Sequence, residues 1–205
     1  MSFELPIFPL GSVLFPHTVL PLRVFEPRFQ LLVDACLVGD GRFGVILIER
    51  GSEVGGGDTR FESGTIAQVA GVADLENGHR LILAVGGGRF NVVQWLPDDP
   101  YPRALVDDFD EQSELDADLP IAETERKLRR ALALMSEAGY DVGDTGFQVS
   151  DDANVAVQQL CALAPVSSLD AQELLTTDPD SEQLRRLQRF LDDEIAVLQQ
   201  QLAAG

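Results

Sequence analysis

An α+β fold is predicted: a curved antiparallel sheet or small β-barrel with one helix, followed by an α-helical bundle that ends in a long helix. Three observations predict it. The first hundred residues read as short apolar runs broken by Gly, Pro and Asn-Gly, with a single helix-period stretch. The segment Asp107–Asp118, DDFDEQSELDAD, then places seven acids in twelve residues, as a solvated linker would. Beyond it the apolar residues recur only at helical spacing. The predicted division is residues 1–109 for the β part, 110–118 for the linker and 119–205 for the helices.

Ile7-Phe8-Pro9-Leu10 and Val19–Val24 are the opening strands, and their prolines suit an edge or a bulge because proline cannot donate to a ladder. Phe15-Pro16-His17-Thr18 is the turn between them. Glu26–Val38 changes period: Phe29, Leu32, Val33, Cys36 and Leu37 form one apolar stripe, Pro27 suits the first turn and Gly39 stops the helix. Phe43–Ile48 is a strand and Gly51–Asp58 a loop. Gly64–Leu75 and Arg80–Val85 are strands joined at Glu76-Asn77-Gly78-His79, Asn-Gly being the strongest short hairpin signal. Gly86-Gly87-Gly88 reads as another turn, Arg89–Leu96 as a further strand and Tyr101–Asp107 as the last.

Among the helices, the first carries Leu128, Leu132 and Met135 and ends at Gly139; the second carries Val155, Leu160, Cys161 and Leu163 and stops at Pro165. Ser167-Ser168-Leu169-Asp170 fits a capping box opening a third. The last has Leu184, Leu187, Leu191, Ile195, Leu198 and Leu202 on one stripe, with Asp178 as N-cap and Pro179 at the first position. That stripe fits a coiled coil or, preferably, a helix packed on its own domain.

Composition narrows the function. A formal net charge of −19 repels phosphate, and it is uneven: residues 1–100 hold 12 acids and 7 bases, residues 101–205 hold 22 and 8. The nearest basic patch, Arg126, Lys127, Arg129 and Arg130, is short and flanked by Glu123 and Glu125, so no nucleic-acid role is expected. No apolar run reaches the roughly 18 residues of a membrane span, and the N-terminus has no basic leader, so a cytoplasmic protein is expected. Cys36 and Cys161 read as buried thiols.

The common catalytic layouts fail. No G-x-x-x-x-G-K-[ST], G-x-S-x-G, S-x-x-K or H-E-x-x-H occurs. His17 and His79 fall in turns with no Cys-x-x-Cys beside them, so no metal site is expected. Asp141–Asp152 has the calcium-loop glycine but too few carboxylates. No cofactor and no enzyme activity are predicted.

The segments LPIFPLGSVLFP, LPLRVFEPRF, RFGVILIERG, SGTIAQV, VGGGRFNV and PYPRALV occur in that order over roughly residues 4–109. Together they resemble the Lon protease N-terminal domain, the substrate-binding LON domain; APVSSLDAQELLTTDPDSEQLRRLQRFLDDEIAVL resembles its helical half more loosely. The resemblance implies a PUA-like small β-barrel with one helix, then a helical bundle. Cereblon carries a related domain, but its cysteine-rich zinc portion has no counterpart here. The ATPase and Ser-Lys peptidase that follow this domain in the protease are not in the sequence, so the expectation is a stand-alone, non-catalytic member.

What the resemblance implies for function is binding of exposed apolar segments of unfolded or partly folded polypeptides, in cooperation with a protease or chaperone encoded elsewhere. Phe15, Trp95, Leu96 and Tyr101, apolar residues at strand ends and loops, are the candidate contacts. The FEPRF box is expected to be structural, with Phe25 and Phe29 anchoring the helix and Glu26 and Arg28 satisfying each other or local backbone. The alternatives are an RNA-binding PUA-like module, an adaptor for one folded partner, and a carboxylate hydrolase with an unrecognised site.

Overall fold

The computed structural model describes residues 1–109, 119–143, 145–178 and 180–204. The predicted linker, 110–118, and the predicted helix-opening Pro179 lie outside them. The chain forms two compact units, Met1–Asp110 and Glu111–Gly205.

In the first unit six strands, β1 (Phe3–Leu10), β2 (Val19–Val24), β3 (Arg42–Arg50), β4 (Thr59–Asp74), β5 (Arg80–Trp95) and β6 (Arg103–Asp108), form one sheet in the order β2-β5-β4-β3-β1-β6. A further pairing of β5 with β6 closes five of them into a barrel. Among the described residues, strand β2 pairs only with the first half of β5 and leaves its other edge open.

The sheet is mixed, not wholly antiparallel: β1 runs parallel to β3, with Ile7 beside Gly44 and Leu10 beside Leu47. Parallel neighbours need a long crossover. Here the segment containing β2 and helix α1 (Pro27–Val38) supplies it, because β2 pairs with β5 instead of with β1. Pro27 opens α1 and Gly39 caps it, donating to the carbonyls of Ala35 and Cys36.

The glycine run does not turn the chain. Gly86, Gly87 and Gly88 lie inside β5, where Thr65 faces Arg89 but Ala67 faces Gly86. One residue on β4, Ile66, therefore opposes two on β5, Gly87 and Gly88, and the extra one makes a bulge that lets a single sixteen-residue strand serve both halves of the sheet. Gly86 is required there: a Cβ would stand 2.3 Å from the carbonyl oxygen of Phe15. The β4–β5 connection is a 3-10 turn over Glu76–Gly78 closed by Leu75 N–H donating to His79 O at 2.7 Å, longer than a two-residue hairpin.

Both faces of β1 are buried. Leu5 and Ile7 join Ile46, Ile66 and Phe90 in the barrel interior. Phe8 and Leu10 face α1, where Phe8 stacks on Phe29 with ring centroids 4.2 Å apart and 18° between planes.

The second unit contains α2 (Ile121–Glu137), α3 (Ala153–Leu163), α4 (Ser168–Thr176) and α5 (Asp180–Ala204). The capping box forms as its sequence predicts: Ser167 Oγ accepts from Asp170 N–H at 3.2 Å and donates to its carboxylate at 2.7 Å. Leu184, Leu187, Leu191, Ile195 and Leu198 are buried, and Leu202 is exposed. Helix α5 packs on α2, α3 and α4, so its stripe is spent within its own unit. Lys127 Nζ meets Asp192 at 2.6 Å, and the buried Gln158 and Gln183 side chains hydrogen-bond at 3.0 Å.

Candidate functional site

Strand β2 alternates. Leu22 and Val24 point into the core, while Val19, Pro21 and Arg23 point out. On β5, Ile82 and Ala84 are buried, while Leu81 and Leu83 are exposed. The register sets Val19 opposite Val85, Pro21 opposite Leu83 and Arg23 opposite Leu81. On the far side of β5, Gly71 stands opposite Leu83 and Ala73 opposite Leu81, so small residues flank the leucines. Relative exposures of 59% for Val19, 42% for Leu81 and 45% for Leu83 make this an uncovered apolar sheet face. It continues at Phe25, which is 46% exposed and tilted against His79 with centroids 6.0 Å apart. In an acidic chain, this row carries one charge, Arg23, whose guanidinium lies 3.1 Å from His79 Nδ1.

Beside this face, along the open edge of β2, runs a cleft of about 150 Å³. Phe8, Leu10, Leu22 and Phe29 line it, with Phe25 and Val54 also contributing. Its other wall is the glycine-rich loop 51–58, tied down by charged groups of the FEPRF box. Arg28 Nε meets Glu26 Oε2 at 3.2 Å, and its guanidinium donates to Glu53 O at 3.4 Å and lies 4.3 Å from the Phe29 centroid. Glu26 Oε2 also accepts from Gly55 N–H at 3.4 Å, and Glu53 Oε1 from Gly11 N–H at 2.5 Å. The expected structural role holds for Phe29, Glu26 and Arg28. It does not hold for Phe25, which leaves the core to the helix and stays on the surface.

The four sequence-predicted contacts do not assemble. Phe15 is 2% exposed, its carbonyl accepting from Thr18 Oγ1 at 2.7 Å, and burial removes it as a contact. Tyr101 is half-buried against the core under α1, whereas Trp95 packs on the barrel interior. Leu96 is half-buried just beyond β5, donating its N–H to Arg103 O at 2.9 Å.

Trp95 belongs to a different cluster. The Arg60 guanidinium stands 5.0 Å from its ring centroid and bridges Asp58 at 2.5 Å and Asp98 at 2.8 Å. Burial pushes the Asp58 carboxyl up, but the Arg60 hydrogen bond and charge outweigh it and hold the group below the usual carboxylate range. The Arg60 and Asp58 side chains are largely buried at this strand end, while that of Asp98 stays exposed.

In the helical unit a second concavity lies beside Arg129, Leu132 and Phe147. Arg129 is committed there to Glu125 at 2.7 Å and to the carbonyls of Thr145 and Phe147. His17, with φ +60°, and His79 sit in separate turns, and no group of three His, Cys, Asp or Glu side chains converges among the described residues. No described helix is long and apolar enough to cross a membrane.

The sequence reads Val19–Val24 as a strand suited to an edge or a bulge and Arg80–Val85 as a hairpin strand, and assigns an outward apolar face to neither. LILAV is apolar on both parities, which alone does not say which face is buried; the pairing shows that Val19, Leu81 and Leu83 stay exposed among the described residues.

Known proteins share this architecture. The crystal structure of a Lon N-terminal domain protein from Xanthomonas campestris superposes with a TM-score of 0.69 at 26% identity, covering 90% of this chain and 96% of that one. The N-terminal domain of the Mycobacterium avium complex Lon protease gives 0.60 at 17%, covering 93% and 99%, a likeness of fold. In sequence the chain is 28% identical over 204 residues to Lon protease 2 of Herpetosiphon aurantiacus, and that match takes in 97% of this chain and 25% of the relative. The chain thus spans about a quarter of the length of the curated relatives it matches. Residues 4–193 match the ATP-dependent protease La (LON) substrate-binding domain, and the chain belongs to that family.

Proposed function

We propose that this chain is a non-catalytic polypeptide-binding module that takes up exposed apolar segments of unfolded or partly folded proteins on the outer face of β2 and β5. The observation that carries this is the uncovered row Val19, Pro21, Leu81 and Leu83, extended by Phe25, in a domain whose family is named for substrate binding. A contiguous apolar patch of this kind removes water when it is covered, and each half-exposed side chain contributes about half of the 1.5–3 kcal/mol of a full burial. The surrounding acidic surface keeps the carrier soluble while the patch stays open. Trp95, Leu96 and Tyr101, which retain only part of their surface, serve packing first and contact second.

The acidic charge speaks against the RNA reading, since each phosphate brought near would meet net repulsion. The test is retention of a labelled unfolded polypeptide by the purified protein in the absence of ATP, with suppression of its aggregation. A pulldown that returned one folded stoichiometric partner and no unfolded clients would replace this reading with an adaptor role.

A further inference from the structure

The apolar face explains attraction to apolar segments in general; the edge beside it has a more selective chemistry. Gly86 N–H donates to Thr18 O at 2.9 Å, which makes Thr18 and Gly86 a bonded pair. Backbone direction alternates along a strand, so Leu20, Leu22 and Val24 direct their polar groups to β5, and Val19, Pro21 and Arg23 direct theirs to the open edge. Proline at 21 is consistent with this, because its missing N–H falls where no ladder bond is made. The register thus turns the N–H groups of Val19 and Arg23 away from β5. Of the edge residues, Pro21 and Arg23 border the cleft lined by Phe8, Leu10 and Phe29. An open strand edge alongside an apolar trough is the arrangement into which an extended peptide adds as a further strand.

Resting on the polypeptide-binding reading above, we propose that the client segment binds as an added strand on the open edge of β2. Its alternate side chains enter the Phe8–Leu10–Phe29 cleft, and an acidic side chain on it meets Arg23. Charge selects that occupant. Arg23 is the one charged side chain on the outward row of a chain with net charge −19, and its neighbour at 3.1 Å is a histidine ring nitrogen, not a carboxylate. A client carboxylate would therefore gain a charge-assisted bond at Arg23. The net charge of −19 disfavours a second copy of this chain, and Pro21 removes one donor from the edge, two features that keep such an edge from pairing with its like.

The test uses the full chain and a fluorescein-labelled eight-residue peptide of alternating apolar residues with one glutamate, followed by anisotropy. Backbone N-methylation at residues of one parity should weaken binding at least tenfold, because it deletes the bonds to β2. The other parity should stay within about twofold. Replacing the peptide glutamate by lysine should weaken binding, and Arg23→Glu, with an unchanged circular dichroism spectrum, should restore it for the lysine peptide. Equal effects of the two N-methyl sets, or indifference to the charge swap, would overturn strand addition. If binding is then still lost in Leu83→Ser, capture on the apolar face survives. If no peptide binds and no unfolded reporter is retained, both readings fail.

Discussion

Leu83 on β5 stands opposite Pro21 on β2, and both point away from the core. Neither contact builds the fold, since the inward neighbours Ile82 and Leu22 are the ones buried. Replacing Leu83 by Ser is expected to change stability by no more than about 0.5 kcal/mol, as surface substitutions away from packed features do. Urea unfolding of this variant beside the wild type checks it.

The stack of Phe8 on Phe29 is where α1 is held to β1. Phe29→Ala would remove a side chain 3% exposed and leave a cavity under the helix, at an expected cost of about 3–5 kcal/mol. The two units need not unfold together, so a probe confined to the first is required. The single tryptophan, Trp95, provides it: its fluorescence should report a midpoint shifted to much lower urea.

Phe90 fills the barrel because Gly64 makes room for its ring. A Cβ on Gly64 would lie 2.2 Å from Val45 O and 2.9 Å from Phe90 Cζ, and a strand backbone cannot yield as a side chain tip can. Gly64→Ala is expected to destabilise the first unit by about 1–3 kcal/mol, the usual cost of overpacking, read in the same fluorescence transition.

Asp58 predicts a pH dependence. Its carboxyl is held below the usual range in the folded protein, so its contribution to stability is present above the unfolded value near ~3.9 and is lost as pH falls through the folded one. Asp58→Asn should therefore be less stable than the wild type at neutral pH, and the gap between their urea midpoints should close below about pH 4. A gap that persists or widens in acid would place the stabilisation elsewhere.

Much of this fold was legible because its local signals agree with one another. Pro27 and Gly39 bracket α1, Ser167 and Asp170 open α4, and the leucine stripe of α5 faces its own unit. What was not legible depends on pairing between distant segments. The parallel β1–β3 contact follows from β2 leaving for β5, and the glycine run reads as a turn until its bulge against Ile66 is known. The site was harder still. Phe15 looked like a loop aromatic but sits on Gly86 in the core, while Leu81 and Leu83, unremarked within a strand, face outward. A strand apolar on both parities does not say which parity will be left uncovered.

The most direct measurement is retention of a permanently unfolded, fluorescently labelled polypeptide by the wild type and by the Leu81→Ser/Leu83→Ser variant, without ATP and at matched thermal stability. The wild type should bind it and the double variant at least tenfold more weakly, the loss expected when two exposed apolar anchors are removed. A wild type that does not retain the polypeptide, or a double variant that retains it equally well, would contradict the assignment of the β2–β5 face.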